Sequence, residues 1–325
     1  MKPFAVIGHP IAHSRSPEIH QAFAKQTGIA ITYRRLEAPA AADGSGFADA
    51  ARAFFVTGGV GMNVTAPFKE TAFRLASGVS ERSRLATAAN TLTTDGEGGW
   101  RADNTDGIGL VRDLTGRLGL SLTGKRLLIL GAGGASAGIL GPLLDARPSQ
   151  IVLWNRSADK AQRLVHRFAT AYPDATLLAV STDIRAPGVF SCNPTTLSPI
   201  SLPQAGEERS GERGNIYSEE IAKDQEAFDL VIHATSLKEG LSTDDEASAA
   251  WPWLDSLCAS DTFFYDLSYA DNEETFFLRW AKAHGACRWS DGFGMLIEQA
   301  AESFRIWHGC LPETALVFAV LRPKK

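Results

Sequence analysis

The sequence predicts an α/β fold in two domains, an open α/β unit followed by a doubly wound unit. Three observations predict it. The chain has 325 residues, enough for two hydrophobic cores. Short apolar runs alternate with helix-period stretches through most of it, as parallel strands and helical crossovers do. The apolar run Lys125-Arg126-Leu127-Leu128-Ile129-Leu130 leads directly into Gly131-Ala132-Gly133-Gly134-Ala135-Ser136 and then a helical stretch to about Asp145. A glycine-rich turn between a strand and a helix is the context of a Rossmann-type sheet.

In the first third, strands are predicted near 4–8, 32–37 and 60–64. Ser16-Pro17 opens a helix with Ile19 and Phe23 on one face; proline suits a first helical position and the serine a cap. Thr91–Thr94, the run Asp95-Gly96-Glu97-Gly98-Gly99 and Trp100-Arg101 read as a hairpin. Gly61-Met62-Asn63-Val64-Thr65-Ala66-Pro67-Phe68-Lys69-Glu70 reads as a short buried strand, a turn, and a lysine one turn into a helix. In the second unit, strands follow at 151–154, 177–180, 229–234 and 263–267. Residues 190–226 break the rhythm. Three prolines, several serines and the charged run Gly206–Gly214 make them too long and polar for an ordinary connection, so they read as a surface insertion outside the chemistry. Two helices close the chain, Met295 to about His308 and Glu313 to about Leu321.

Composition narrows the function. Hydrophobic residues are 44%, charged residues 21%, and the formal net charge is -5, with no dense Lys/Arg run. These values fit a soluble protein and argue against a nucleic-acid partner. The N-terminal apolar run is too short for a signal-peptide core, and no apolar stretch reaches membrane-spanning length. Cys192, Cys258, Cys287 and Cys310 are widely spaced with no CxxC pair, which points to reduced thiols and a cytoplasmic protein. His9 and His13 flank Ser14-Arg15-Ser16 without a carboxylate or cysteine cluster, so they read as loop-packing residues and no metal site is predicted.

The glycine-rich turn predicts a dinucleotide. Gly131 permits the tight turn, Gly133 lets the backbone approach a pyrophosphate, and the helix N-terminus offers unpaired N–H groups. Asn155-Arg156-Ser157 follows the next strand, where NAD enzymes carry an acidic residue for the ribose hydroxyl. With no carboxylate there, Arg156, Ser157 and Lys160 are suited to a 2′-phosphate, so the predicted cofactor is NADP. Read singly, Arg156 is also an ordinary solvated charge after a strand.

Hydride transfer to a ketone builds charge on oxygen and calls for a proton donor. Lys69 and Asp106 are the candidates, acting as a coupled pair. Singly, Lys69 reads as an exposed helix lysine and Asp106 as an N-cap before Gly107-Ile108-Gly109-Leu110.

Ser14-x-Ser16, Asn63-Val64-Thr65-x-Pro67-x-Lys69, Asn90-Thr91, Asn104-Thr105-Asp106-Gly107, the glycine-rich turn, Asn155-Arg156-Ser157, Ala234-Thr235-Ser236, Tyr265-Asp266-Leu267 and Asp291-Gly292-Phe293-Gly294-Met295-Leu296 occur in this order. In these motifs the chain resembles the shikimate dehydrogenase family over nearly its whole length except 190–226. The resemblance implies reversible NADPH-dependent reduction of 3-dehydroshikimate to shikimate on the route to chorismate and the aromatic amino acids. It implies Lys69 and Asp106 as the catalytic pair, Ser14 and Ser16 on the substrate carboxylate, and Thr65, Asn90 and Gln299 on ring hydroxyls, with Tyr269 also at the substrate. Gly131, Ala132, Gly133, Gly134, Ala135, Ser136, Asn155, Arg156, Ser157, Lys160 and Thr235 would hold the cofactor, with Leu267, Gly292 and Met295 lining the nicotinamide pocket. The domains would be 1–106 plus about 293–325 for substrate and about 107–292 for NADP, in a monomer or homodimer. His233 departs from the family's usual asparagine before Ala-Thr-Ser and reads as filler at a strand end; Lys160 replaces a frequent arginine. A quinate/shikimate dehydrogenase using NAD or NADP is the alternative within the family. A ring-acid sensor without catalysis is the alternative of another class; loss of the lysine or the aspartate would mark it, and both are kept.

Overall fold

The computed structural model describes residues 1–39, 44–182, 190–193, 227–235, 254, 258–270 and 274–322. The segment expected as an insertion therefore lies outside the described residues, apart from its first four.

The first sheet contains β1 (Lys2–Gly8), β2 (Ile31–Glu37), β3 (Gly61–Val64), β4 (Gly78–Val79), β5 (Thr91–Thr94) and β6 (Trp100–Asp103), in the order β2-β1-β3-β5-β6-β4. β1 runs parallel to β2 and β3, but β5 is antiparallel to both β3 and β6. Three of the sheet's five pairings are parallel, and the two antiparallel ones both involve β5, the first strand of the expected hairpin. Its helices are α1 (Ser16–Thr27), α2 (Ser45–Val56), α3 (Lys69–Arg74) and α4 (Glu81–Ala86). Ser16 is not the cap expected of it: it is the first helical residue, with Pro17 beside it.

Alternation along β1 divides the apolar residues between two faces, as a pleated strand requires. Ala5 and Ile7 join Phe47, Phe54, Phe55, Met62 and Trp100 in one core. Phe4 and Val6 face the other way, onto Ile19 and Phe23 of α1 and onto Phe293, Ile297, Phe304 and Val317 from the end of the chain. The C-terminal helices thus close the open face of the first sheet.

The second sheet begins after α5 (Asp106–Arg112), which continues into a π-helical turn over Asp113–Arg117. Its strands are β7 (Arg126–Leu130), β8 (Gln150–Trp154), β9 (Leu177–Thr182), β10 (Phe190–Asn193), β11 (Phe228–His233), β12 (Cys258–Asp266) and β13 (Arg288–Ser290). They lie in the order β10-β9-β8-β7-β11-β12-β13. All pairings are parallel except the β9–β10 edge. Residues 190–193, expected at the start of the insertion, therefore belong to the sheet. The order reverses between β7 and β11, and in doubly wound sheets that switch point, at the carboxyl ends of the strands, is where ligands bind. α6 (Gly134–Asp145) and α7 (Ala158–Ala169) are followed by α8 (Phe276–Ala283), α9 (Phe293–His308) and α10 (Thr314–Leu321).

α9 joins the two halves. It packs against α1 in the first core and meets α5 almost backbone to backbone: a Cβ on Gly109 would lie 2.6 Å from the Gln299 amide nitrogen. Near the far end of this contact Glu302, fully buried, accepts from Arg112 at 2.9 Å, Arg305 at 2.6 Å and Arg82 at 3.3 Å. Arg82 also holds Asp103 at 2.7 Å. One carboxylate thereby ties α4, β6, α5 and α9 together. Burial opposes its ionisation, but the Arg305 and Arg112 guanidinium groups prevail and hold it at about 2, against 4.5 ordinarily.

Glu302→Gln should cost about 3–5 kcal/mol at neutral pH, as breaking a buried ion pair does. A depressed carboxyl pKa stabilises the fold fully above its unfolded value of 4.5 and loses that contribution as pH falls toward 2. The gap in urea midpoint between wild type and variant should therefore narrow between those two pH values. A gap constant across that window would refute the assignment.

Candidate active site

Three loops at the carboxyl ends of β1, β3 and β6 bring the expected residues together. The first carries Ser14 and Ser16. Arg35 on β2 donates two N–H groups to the Ser14 carbonyl, at 2.5 and 2.8 Å, and holds Glu18 of α1 at 2.9 Å, so the loop is clamped to the sheet edge. The Ser14 hydroxyl lies 3.3 Å from that of Ser16 and 3.4 Å from its amide. The second loop holds Thr65, whose amide donates to the Ile7 carbonyl at 3.0 Å. Lys69 follows as the first residue of α3, rather than a turn inside it. The third loop ends at Asp106, the first residue of α5; Thr105 occupies the N-cap position, so Asp106 is not the cap.

Lys69 Nζ and Asp106 Oδ2 are 2.6 Å apart. The aspartate is buried, 5% exposed, while the lysine side chain is 26% exposed and reaches into the cleft. Asp106 Oδ1 accepts from Asn90 Nδ2 at 2.7 Å. The Asn90 amide also donates to Thr105 at 2.9 Å and to Gln299 Oε1 at 3.2 Å, and its oxygen accepts from the Thr105 amide and the Thr91 hydroxyl, both at 2.9 Å. Beneath it, Asn63 Nδ2 donates to the Asn90 carbonyl and to Ser303, at 3.1 and 2.9 Å. With its amide nitrogen so fixed, Asn63 Oδ1 is the acceptor for Tyr33 at 2.7 Å and for His20 Nε2 at 3.1 Å, so His20 carries its proton on Nε2. Burial pushes His20 down to about 3 and Tyr33 well above its usual range. Both stay neutral at physiological pH.

A cleft of about 540 Å³ opens over this network. Its walls include all eight residues expected at the substrate: Ser14, Ser16, Thr65, Lys69, Asn90, Asp106, Tyr269 and Gln299. Leu267, Gly292, Met295 and Ala135, expected on the cofactor side, line the same cleft. Gly292 is fixed there by its N–H, which donates to the Ser268 carbonyl at 2.9 Å. Asn63, His13, Ser268 and Leu296 also line the cleft and escaped the sequence reading as site residues. The Asn-Val-Thr segment could have pointed to Asn63, since it faces the same way as Thr65 two residues on. His13 is exposed at the cleft rather than packed in its loop.

The cofactor residues follow β7 and β8. Gly131 has φ +116°, a conformation that favours glycine, and a Cβ there would lie 2.9 Å from the Ala234 carbonyl. A Cβ on Gly133 or Gly134 would meet nothing within 4 Å. The N-terminus of α6 has no side-chain cap, so its first N–H groups face open space that suits a pyrophosphate. The Ser136 hydroxyl does not face that space; it is buried and donates to the Gly131 carbonyl at 2.8 Å. Asn155 braces the turn by accepting from the Ala132 amide at 3.3 Å. Arg156, Ser157 and Lys160 are exposed. Among the described residues, neither Arg156 nor Lys160 has an ion-pair partner, and no cluster of metal-ligating side chains occurs. The residues present therefore fit a dinucleotide with an additional phosphate. No helix is long and apolar enough to cross a membrane among the described residues.

Comparison with known proteins agrees with this geometry. Sequence models of the shikimate dehydrogenase substrate binding domain, of shikimate / quinate 5-dehydrogenase and of the shikimate 5′-dehydrogenase C-terminal domain match residues 6–92, 113–191 and 292–322. The chain is 41% identical to shikimate dehydrogenase (NADP(+)) of Alkalilimnicola ehrlichii, covering 99% of this chain and 98% of that protein. It is similar in structure to an Ael1 enzyme from Pseudomonas putida, with TM-score 0.73 and 34% identity over 100% of this chain and 99% of that one. The shikimate 5-dehydrogenase of Thermus thermophilus in complex with NADP(H) and shikimate gives TM-score 0.68 and 26% identity, over 97% and 96% of the two chains.

Asn90→Ala leaves Asp106 Oδ1 and Thr105 without their partner in a buried site. Each orphaned group costs about 1–3 kcal/mol. The variant should lose thermal stability by several degrees and bind ring hydroxy acids more weakly. Unchanged melting and unchanged affinity would mean the network is ornamental to the site.

Proposed function

This chain belongs to the shikimate dehydrogenase family, and we propose that Lys69 and Asp106 carry the proton in a reversible, NADPH-dependent reduction of 3-dehydroshikimate to shikimate. The single observation that carries the assignment is the 2.6 Å Lys69–Asp106 contact, set in a cleft that Leu267, Gly292 and Met295 also line.

The bound nicotinamide supplies the hydride. The chain's own residues do the rest. Ser14 and Ser16 offer hydroxyl donors for the ring carboxylate, and Arg35 keeps their loop in place. Thr65, Gln299 and Tyr269 surround the ring. Lys69 stands over the reacting oxygen as an ammonium donor and releases its proton as charge develops there. Asp106, pinned by Asn90, keeps that donor aimed and stabilises its charged form when the proton returns. Asn90 and Gln299 are already bonded within the network, so their contribution is to present fixed dipoles to the ring. We assign 1–106 plus about 293–325 to the substrate side, and about 107–292 to the cofactor side. The open cations Arg156 and Lys160 support NADP as the nucleotide. The reduced thiols Cys258, Cys287 and Cys310 accord with the cytoplasm, and the protein works as a monomer or homodimer.

The test is an absorbance assay at the nicotinamide band, with shikimate and quinate each offered NADP and NAD. Turnover of shikimate with NADP should dominate; a preference for quinate with NAD would overturn the substrate and cofactor assignments together.

Lys69→Ala should lower kcat by a factor of roughly 10²–10⁴, the usual worth of acid–base help, with a smaller change in KM. Asp106→Asn sets a second amide against Asn90 and Lys69, both donors, so the rate should fall as well. Near-normal turnover in either variant removes that residue from the proton path.

Arg156→Ala should weaken NADP selectively. A hydrogen bond to a charged group is worth about 1.5–3 kcal/mol, so titration calorimetry should show a loss of roughly ten- to a hundredfold for NADP and little for NAD. Equal losses would place the arginine on the adenine instead.

A further inference from the structure

His233 is not filler. It ends β11 and is buried: Nδ1 lies 3.0 Å from Asp266 Oδ1 and Nε2 lies 2.5 Å from the Thr235 hydroxyl. Its ring stacks on Phe277 with centroids 4.7 Å apart. Asp266 Oδ1 also accepts the Ser268 amide at 2.9 Å, so that oxygen is an acceptor and Nδ1 of the imidazole carries the proton. In the neutral ring Nε2 is then an acceptor, and the Thr235 hydroxyl must give its own hydrogen to it. What remains on Thr235 Oγ is acceptor capacity alone.

The place of this hydroxyl gives it meaning. Thr235 lies at the carboxyl end of β11, beside the switch point. Its methyl group would sit 3.0 Å from a Cβ on Gly131, so it borders the glycine-rich turn. On its other flank, Leu267 of the cleft wall donates its amide to the His233 carbonyl at 3.0 Å. A phosphate, which has only acceptors at neutral pH, gains nothing from such an oxygen. A ribose hydroxyl or a carboxamide N–H does.

We propose that Asp266, His233 and Thr235 form a hydrogen-bonded relay that fixes Thr235 Oγ as an acceptor for a donor group of the bound nicotinamide nucleotide. The relay rests on the reading of this crevice as the NADP site. Asp266 and His233 are positioning residues that set the hydrogen of Thr235.

The test is the Kd of NADP⁺ by titration calorimetry for wild type, Thr235→Val, Thr235→Ser, Asp266→Asn and the Val/Asn double variant, with thermal melting to verify folding. Thr235→Val should weaken binding roughly three- to tenfold, and Thr235→Ser, which keeps the hydroxyl, should restore it. Asp266→Asn should weaken binding through the same hydroxyl, so the double variant should be no worse than Thr235→Val alone. The 3-acetylpyridine analogue of NADP⁺, which lacks the carboxamide N–H, tells the donors apart. If the Val/Ser ratio falls to one with the analogue, the donor is the carboxamide; if it persists, the donor is a ribose hydroxyl. Equal affinities of Thr235→Val and Thr235→Ser for NADP⁺ overturn the proposal even if Asp266→Asn fails to fold. So do losses at 235 and 266 that simply add. A wild type that binds no NADP⁺ would sink the cofactor assignment itself, which is a different result from a wild type that binds and a valine variant that binds equally well.

Discussion

The structure turns on one buried hydrogen-bond network, the one that runs from Tyr33 and His20 through Asn63 to Asn90 and ends on Asp106. Its members come from α1, β2, β3, β5, α5 and α9, and nearly all are withdrawn from water. Such a network is close to all-or-none, because each missing partner leaves a desolvated polar group. The elements that supply it must therefore arrive together. The consequence at the cleft is that Asp106 has one oxygen pinned from below, and only the other faces Lys69. The neutral state of His20, enforced by burial, keeps a second charge out of the layer directly beneath the reacting pair.

The end of the chain makes this network possible. α9 supplies Gln299 and Ser303 to it, and in the same stretch it supplies Glu302 to the arginine cluster. The same helix covers the open face of the first sheet with Phe293, Ile297 and Phe304. The small Gly109 lets it approach α5 closely enough for all three tasks. A single helix thus sets the distance between the two sheets and, at its start, brings Met295 to the cleft wall. Stability and active-site geometry share the same contacts, so they cannot vary independently along α9.

How much of this is legible in the sequence depends on the range of the interaction. The glycine-rich turn, the hairpin and the helix after Ser16-Pro17 are written in adjacent residues, and each appears where local pattern places it. Six of the eight residues expected at the substrate lie in short ordered motifs, and all eight line the cleft; Tyr269 and Gln299 lie outside those motifs. The failures are tertiary. Nothing around Arg35 announces that it will hold the Ser14 carbonyl, and nothing near Glu302 announces Arg82, 220 residues away in sequence. The antiparallel β3–β5 pairing escapes because alternation does not reveal strand direction. Ser136 looks like a cofactor contact because the fingerprint places it there; only the fold shows its hydroxyl turned back onto Gly131. His233 reads as filler because one of its partners, Asp266, is 33 residues distant.

The two walls of the cleft are built to different degrees before any ligand arrives. On the substrate side Ser16, Asn90, Asp106 and Gln299 are buried and hydrogen-bonded to their neighbours, so little of their side-chain freedom remains to be lost on binding. On the proposed cofactor side Arg156, Ser157 and Lys160 are exposed, and the long side chains of Arg156 and Lys160 would have to be ordered by a phosphate. Ordering costs affinity, and the charge-assisted contacts offset it. Between these extremes in exposure is Thr235, whose hydroxyl lies 2.5 Å from His233 Nε2 beside the glycine-rich turn. Order therefore rises with burial, from the exposed Arg156 and Lys160 to the partly buried Thr235 and the buried Asp106. That gradient follows from burial: fixed dipoles are worth most where water is excluded, and the reacting carbon is where a misplaced ring would lose the most rate.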